Sequence, residues 1–245
     1  MTDSLDPISP ETPGSASVVA TLRKLLMDGR YPAGSRLAEI PVAQALGVSR
    51  TPVRLAFRTL EQEGLLQKAG ARGFVVRAFS EDDVLCAVEV RGALEGLAAR
   101  RLAERGLGEA LRAALQACVA EGAQVLDAAA ARGTLDEEAL AAWSRLNAQF
   151  HRLIVEGTDS RVIADAIARN NHLPFASADS IVIDRSVLDR EVQKLRLAQM
   201  QHVLVVDALQ GGEGARVEAL MREHAWIGFR YSKLFGLPPA RVGRG

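Results

Sequence analysis

Arg50, Arg54 and Arg58 recur four residues apart, a spacing suited to gripping a polyanion. On a helix it sets three guanidinium groups along one face, while Val53, Phe57 and Leu60 fall on the other side and can pack inward. Such a helix can rest on a core and enter a nucleic-acid groove at once, with arginine bonding guanine through two donors and Ser49 or Thr51 reaching phosphate or base. A solvated helix face carries the same stripe, so the neighbouring elements must decide between the two. A second group contains histidine. Asn147 and His151 lie four apart on one predicted helix face and could share a cation. His202 and His224 are flanked by Val203 and Leu204 and by Ala225 and Trp226, which turns them towards a helical interior. Neutral imidazoles suit zinc, nickel or similar ions, although buried histidines with ordinary hydrogen bonds show the same pattern, and spacing alone cannot show convergence.

The elements that must position these residues follow from periodicity and punctuation. Residues 1–15 hold Pro7, Pro10, Pro13 and Gly14 without apolar periodicity, as expected of an arm. A first helix is predicted from Ser17 to Asp28, ended by Gly29, Pro32 and Gly34. Glu39 to Leu46 and Thr51 to Glu63 then form a helix pair around Gly47, with Ser49 in capping position and Pro52 in the first turn, where a missing amide costs little. From Leu65 to Arg77 two short strand-like runs flank a Gly-rich basic turn, a β-hairpin wing. Ser80 is placed to cap a helix beginning in Glu81-Asp82-Asp83. Beyond it, helices are predicted near 81–105, 108–131, 136–156, 159–172, 186–210 and 213–236, separated by Gly106, Gly133, Gly157, Pro174 and Gly211-Gly212. His172 falls at a predicted helix end, where the dipole already favours it, and Trp143 and Trp226 read as core or interface aromatics. The fold class is mainly α: a winged helix-turn-helix over 16–78 and an antiparallel bundle of six or seven helices over 81–237.

Charge supports the division. The whole chain is neutral, with 30 basic and 30 acidic residues, yet between Ser17 and Phe79 ten basic residues face four acidic ones. That segment carries +6 and the remainder −6, so neutrality is a cancellation and a basic DNA-facing half is retained. Two cysteines without a CxxC pair fit a reducing cytoplasm, and charges interrupt every apolar stretch before it reaches membrane-spanning length.

The run from Arg36-Leu37-Ala38-Glu39 through Leu46-Gly47-Val48-Ser49-Arg50-Thr51-Pro52-Val53-Arg54 to Glu63-Gly64-Leu65-Leu66 resembles the DNA-binding domain of the GntR family. The resemblance implies operator contacts from Ser49, Arg50, Thr51 and Arg54, and a minor-groove approach by Gly73 at the wing tip. Arg36 and Arg58 join them, although Arg36 could instead steady the turn before Glu39 and Arg58 could touch only phosphate. Residues from about 81 to 235 resemble the FCD ligand-binding domain of the FadR branch, through Val90-Arg91-Gly92-Ala93-Leu94-Glu95, Asn147-Ala148-Gln149-Phe150-His151, Gln201-His202-Val203-Leu204 and Met221-Arg222-Glu223-His224. It implies that Asn147, His151, His202 and His224 hold a divalent metal and that Arg91 grips an effector carboxylate, unless Arg91 merely pairs with Glu95 one turn on. Asn147 stands where many relatives have Asp, so no anionic protein ligand is expected.

The expected function is a homodimeric repressor bound to double-stranded operator DNA and released by a small organic acid. The alternative is a metal-dependent enzyme built on the histidines. It has no HExxH string or paired carboxylates to supply a base.

Overall fold

The computed structural model describes residues 15–27, 29–70, 73–171, 173 and 188–227. The chain divides into two compact units between Phe79 and Ser80.

In the first unit, α1 (Ser15–Met27) is followed by the two-residue strand β1 (Arg36–Leu37), α2 (Glu39–Leu46), α3 (Arg50–Gln62) and the hairpin strands β2 (Leu66–Lys68) and β3 (Phe74–Val76). The strands form one antiparallel sheet in the order β1-β3-β2, with Leu66 opposite Val76 and Lys68 opposite Phe74. Its core is built around α3, where Val53, Ala56, Phe57 and Leu60 are all fully buried. Each of the larger side chains contributes roughly 1.5–3 kcal/mol by leaving water. Val18 and Leu22 of α1, Val42 of α2, Leu65 before the hairpin and Leu37, Leu66 and Val76 of the sheet join that core, and Phe57 meets Phe74 edge-on at 5.2 Å. Arg23 grips Glu63 with two hydrogen bonds of 2.6 and 3.0 Å, tying α1 to the residue that closes α3. The turn between α2 and α3 is set by Gly47, whose φ of 65° is open to glycine at no steric cost while its amide closes α2.

Two details differ from the sequence reading. Arg36 lies in a third strand, pairing with Val75, which two residues are too few to announce by alternation. Ser49 occupies the N-cap of α3 but makes no side-chain capping bond, which leaves its exposed hydroxyl uncommitted to the helix.

The second unit is helical among its described residues: α4 (Glu81–Arg105), α5 (Glu109–Ala131), α6 (Glu137–Glu156), α7 (Arg161–Asn171), α8 (Leu188–Gln210) and α9 (Gly214–His224). Ser80 and Asp83 form a reciprocal capping box at the start of α4, and the Asp136 carboxylate caps α6 by accepting from the Ala139 amide. The main core joins Ala98 and Leu102 of α4, Leu115 of α5, Phe150 and Ile154 of α6, Val205 and Leu209 of α8 and Val217 and Met221 of α9. Helices α4 and α9 touch almost backbone to backbone. A Cβ on Gly92 would lie 3.0 Å from the Cβ of Ala225 and 3.2 Å from the Cα of Arg222, and one on Gly96 would lie 3.0 Å from the Glu218 carbonyl oxygen. The last helix ends at His224 and a turn carries the chain to Ile227; the rest of the helix predicted over 213–236 and His172 lie outside the described residues. Among the described residues no helix is long and apolar enough to cross a membrane.

Candidate DNA-reading face and histidine centre

The outer side of α3 carries the residues singled out in the sequence. Ser49, Arg50, Thr51, Arg54 and Arg58 are all exposed while their neighbours on the inner side are buried, and Arg36 is exposed on β1. Gly73 sits half-buried in the loop joining the wing strands, next to residues 71–72, which are not described. The arginines are not all alike. Arg50 donates through Nη2 to Oε2 of Glu39 at 3.1 Å, and Arg54 donates through Nε to the other oxygen of the same carboxylate at 3.2 Å.

In the second unit α6, α8 and α9 bring His151, His202 and His224 into one buried cluster, with a ring nitrogen of each within 4.8 Å of the others. The Nε2 of His224 lies 3.1 Å from Nε2 of His202 and 3.2 Å from Nε2 of His151. Asn147 is buried one helical turn before His151. His202 stacks on Phe150 at 4.1 Å between centroids, with Trp143 parallel at 6.3 Å, and Trp143 donates from Nε1 to Gln199.

For His151 and His224 the acceptors opposite Nδ1 assign the ring protons. Nδ1 of His151 donates to Oε2 of Glu95 at 3.0 Å, and Nδ1 of His224 donates to Oε1 of Gln201 at 2.9 Å. Burial holds His202 and His224 well below the ordinary histidine pKa, with the neighbouring rings, and for His224 also Arg91, adding to the effect. A neutral His224 that donates from Nδ1 presents a lone pair at Nε2, towards two other Nε2 atoms. That arrangement calls for a cation or a shared proton at the centre. Nitrogen ligands at about 2.0–2.1 Å from a tetrahedral ion lie roughly 3.3 Å apart, close to the two separations seen, so the donor set fits a zinc-like ion.

Glu95 and Gln201 are the functional residues that the sequence reading did not assign. Glu95 is buried on α4, and instead of pairing with Arg91 it orients His151, the carboxylate–imidazole arrangement that commonly stands behind a metal ligand. Burial alone would raise its pKa; the charge and hydrogen bond of His151, and the charge of Arg91, outweigh this and hold it below the ordinary carboxylate value. Arg91 is itself buried. Its Nη2 donates to the Ala225 carbonyl at 2.8 Å, while Nε is buried with no hydrogen-bond partner.

With these histidines depressed, the EDTA-treated protein should be acid-labile. Below about pH 6.5 the unfolded chain binds protons that folded His202 and His224 refuse, so stability rises with pH through that window and is lost on acidification. Each group contributes a slope of up to about 1.4 kcal/mol per pH unit. Urea unfolding of EDTA-treated protein between pH 7 and pH 5 should show the midpoint falling steadily; a flat midpoint would mean that these rings are protonated in the folded state.

A winged helix-turn-helix joined in sequence to a unit that is helical among its described residues is the architecture of a DNA-binding regulator with an appended helical domain. The comparisons with known proteins agree. Residues 15–76 match the family described as bacterial regulatory proteins, gntR family, and residues 86–225 match the FCD domain. The chain belongs to the GntR family of transcriptional regulators, in its FCD-containing branch, and is not an enzyme. It is 32% identical over 208 residues to a Paenarthrobacter nicotinovorans protein named "Probable D-xylose utilization operon transcriptional repressor", a match spanning 81% of this chain and 80% of that protein. It is 27% identical over 217 residues to the HTH-type transcriptional repressor RspR of Escherichia coli K12, covering 89% of this chain and 88% of the relative. The solved structure of E. coli McbR/YncC superposes with a TM-score of 0.57 at 20% identity, covering 86% of this chain and 92% of that one, a likeness of fold.

Proposed function

We propose that this chain is a cytoplasmic homodimeric repressor whose helical domain, residues 81–237, holds a zinc or nickel ion and releases operator DNA when a small organic acid binds beside it. The observation that carries the reading is the convergence of three buried Nε2 atoms, two of whose rings are oriented from behind by Glu95 and Gln201. His151, His202 and His224 would ligate the ion, with Asn147 as a fourth, neutral ligand. The ion supplies a positive centre for an anionic effector. Arg91 supplies a second: its buried, unpartnered Nε is suited to one oxygen of a carboxylate. In the winged helix, residues 16–78, Arg50 and Arg54 read base edges with Ser49 and Thr51. Arg36 and Arg58 contact the backbone, and Gly73 lets the wing tip approach the minor groove. Two such units in a dimer meet the two halves of a palindromic operator. Release requires that the acid bind the DNA-incompetent arrangement more tightly, since equal affinity shifts nothing.

Trp143, parallel to His202, reports on the centre. The chain has two tryptophans, so Trp226→Phe leaves Trp143 alone. Nickel added to EDTA-treated protein should quench it saturably at one ion per chain, with zinc competing, and nickel-loaded protein should leave a duplex selected from a randomised pool when the right acid is added. Absence of quenching would sink the metal assignment. Quenching without release by any acid in a broad panel would leave the ion structural and refute the effector.

A further inference from the structure

We infer that Glu39 is a positioning residue for operator reading: it holds the guanidinium groups of Arg50 and Arg54 in one orientation and trades general affinity for DNA against sequence selectivity. The inference rests on the DNA-reading role proposed above for those two arginines. Glu39 opens α2, where the helix N-terminus favours a negative charge, and its side chain is 23% exposed against 58% for Arg50 and 49% for Arg54. The carboxylate is therefore the fixed end of both bonds. Each of its oxygens takes one arginine. Arg54 is engaged through Nε, so both terminal nitrogens remain uncommitted by this bond. Those two nitrogens form the fork that can bond guanine O6 and N7.

A folding role does not account for the placement, because exposed ion pairs add little to stability. A carboxylate beside arginines that meet DNA also repels phosphate and so weakens binding to every sequence. The other described acidic residues of the basic half are engaged elsewhere, Glu63 with Arg23 and Glu61 with Lys68. What the arrangement provides is restraint. Two long side chains that would otherwise be ordered only on binding are ordered beforehand, and the benefit falls only where their geometry matches the bases.

The test compares wild type, Glu39→Ala, Glu39→Gln and Arg54→Ala by fluorescence anisotropy over a salt series. The probes are the tightest duplex that the wild-type chain selects from a randomised pool and a scrambled duplex of equal length. With Glu39→Ala, affinity for the scrambled duplex should rise severalfold and its salt dependence should steepen, while the selected-to-scrambled ratio should fall roughly tenfold. Glu39→Gln, nearly isosteric and keeping one acceptor, should lose less of the ratio. An unchanged ratio in both Glu39 variants, with the ratio collapsed in Arg54→Ala, would overturn the role of Glu39 while leaving the arginine reading intact. A ratio unmoved in Arg54→Ala would overturn that reading and this inference with it. A fall in melting temperature that weakens both probes equally would identify Glu39 as structural and overturn the inference.

Discussion

With His224 replaced by alanine, the thermal stabilisation expected when zinc is added to the wild-type chain should disappear. His224 is the residue to remove because its Nε2 stands within 3.1 and 3.2 Å of the other two, whereas neither of those distances survives without it. Zinc at a free concentration about a thousand times its Kd stabilises a folded protein by about 4 kcal/mol, roughly 10 °C for a chain of this size. The difference between loaded and EDTA-treated protein, measured by calorimetry within each variant, cancels the cost of the cavity that the missing imidazole leaves. His224→Ala should show a difference near zero. Glu95→Gln, which leaves all three imidazoles in place but weakens the partner of His151, should retain part of it, with affinity down by about 10–100-fold. A full zinc shift in His224→Ala would place the ion somewhere other than this centre.

The second large effect concerns DNA. Arg54→Ala should lower affinity for the selected duplex by the worth of a bidentate base contact, about 1–3 kcal/mol, or roughly 5- to 150-fold. Arg54→Lys keeps the charge and loses the fork, so it should restore the salt dependence without restoring selectivity. Arg58→Ala, two turns from the start of α3, should weaken all sequences alike. Equal losses on selected and scrambled duplexes in Arg54→Ala would reduce that arginine to a phosphate contact.

Much of the DNA-reading unit was legible because its information is local. An arginine stripe opposite Val53, Phe57 and Leu60 and a left-handed glycine at the turn each declare themselves within a few residues. Strand β1 escaped because two residues carry no alternation. The uncapped hydroxyl of Ser49 escaped because residue type states only what a side chain can do. From spacing alone the histidine centre was legible only as a set of inward positions; the ligand set came from the resemblance to the FCD domain. His151, His202 and His224 come from three helices, and only the packing of those helices brings the rings together. Glu95 was harder still. Four residues after an arginine on a helix, a glutamate reads as half of a local ion pair; its true partner is 56 residues away, and nothing short of the fold connects them.

The contact between α4 and α9 gives the centre an unequal mechanical character. With glycine at positions 92 and 96 the two helices approach closely at those points, so the spacing of the α4 segment carrying Arg91 and Glu95 from the α9 segment ending in His224 is set there largely by main chain. The α6 and α8 side meets through aromatic side chains instead, Phe150 and Trp143 of α6 lying against His202 of α8. One wall of the centre is therefore a close approach of main chains and the other ring against ring. On the proposed reading, an ion or acid of a different size is expected to shift the ring-packed α6 and α8 before the α4–α9 contact.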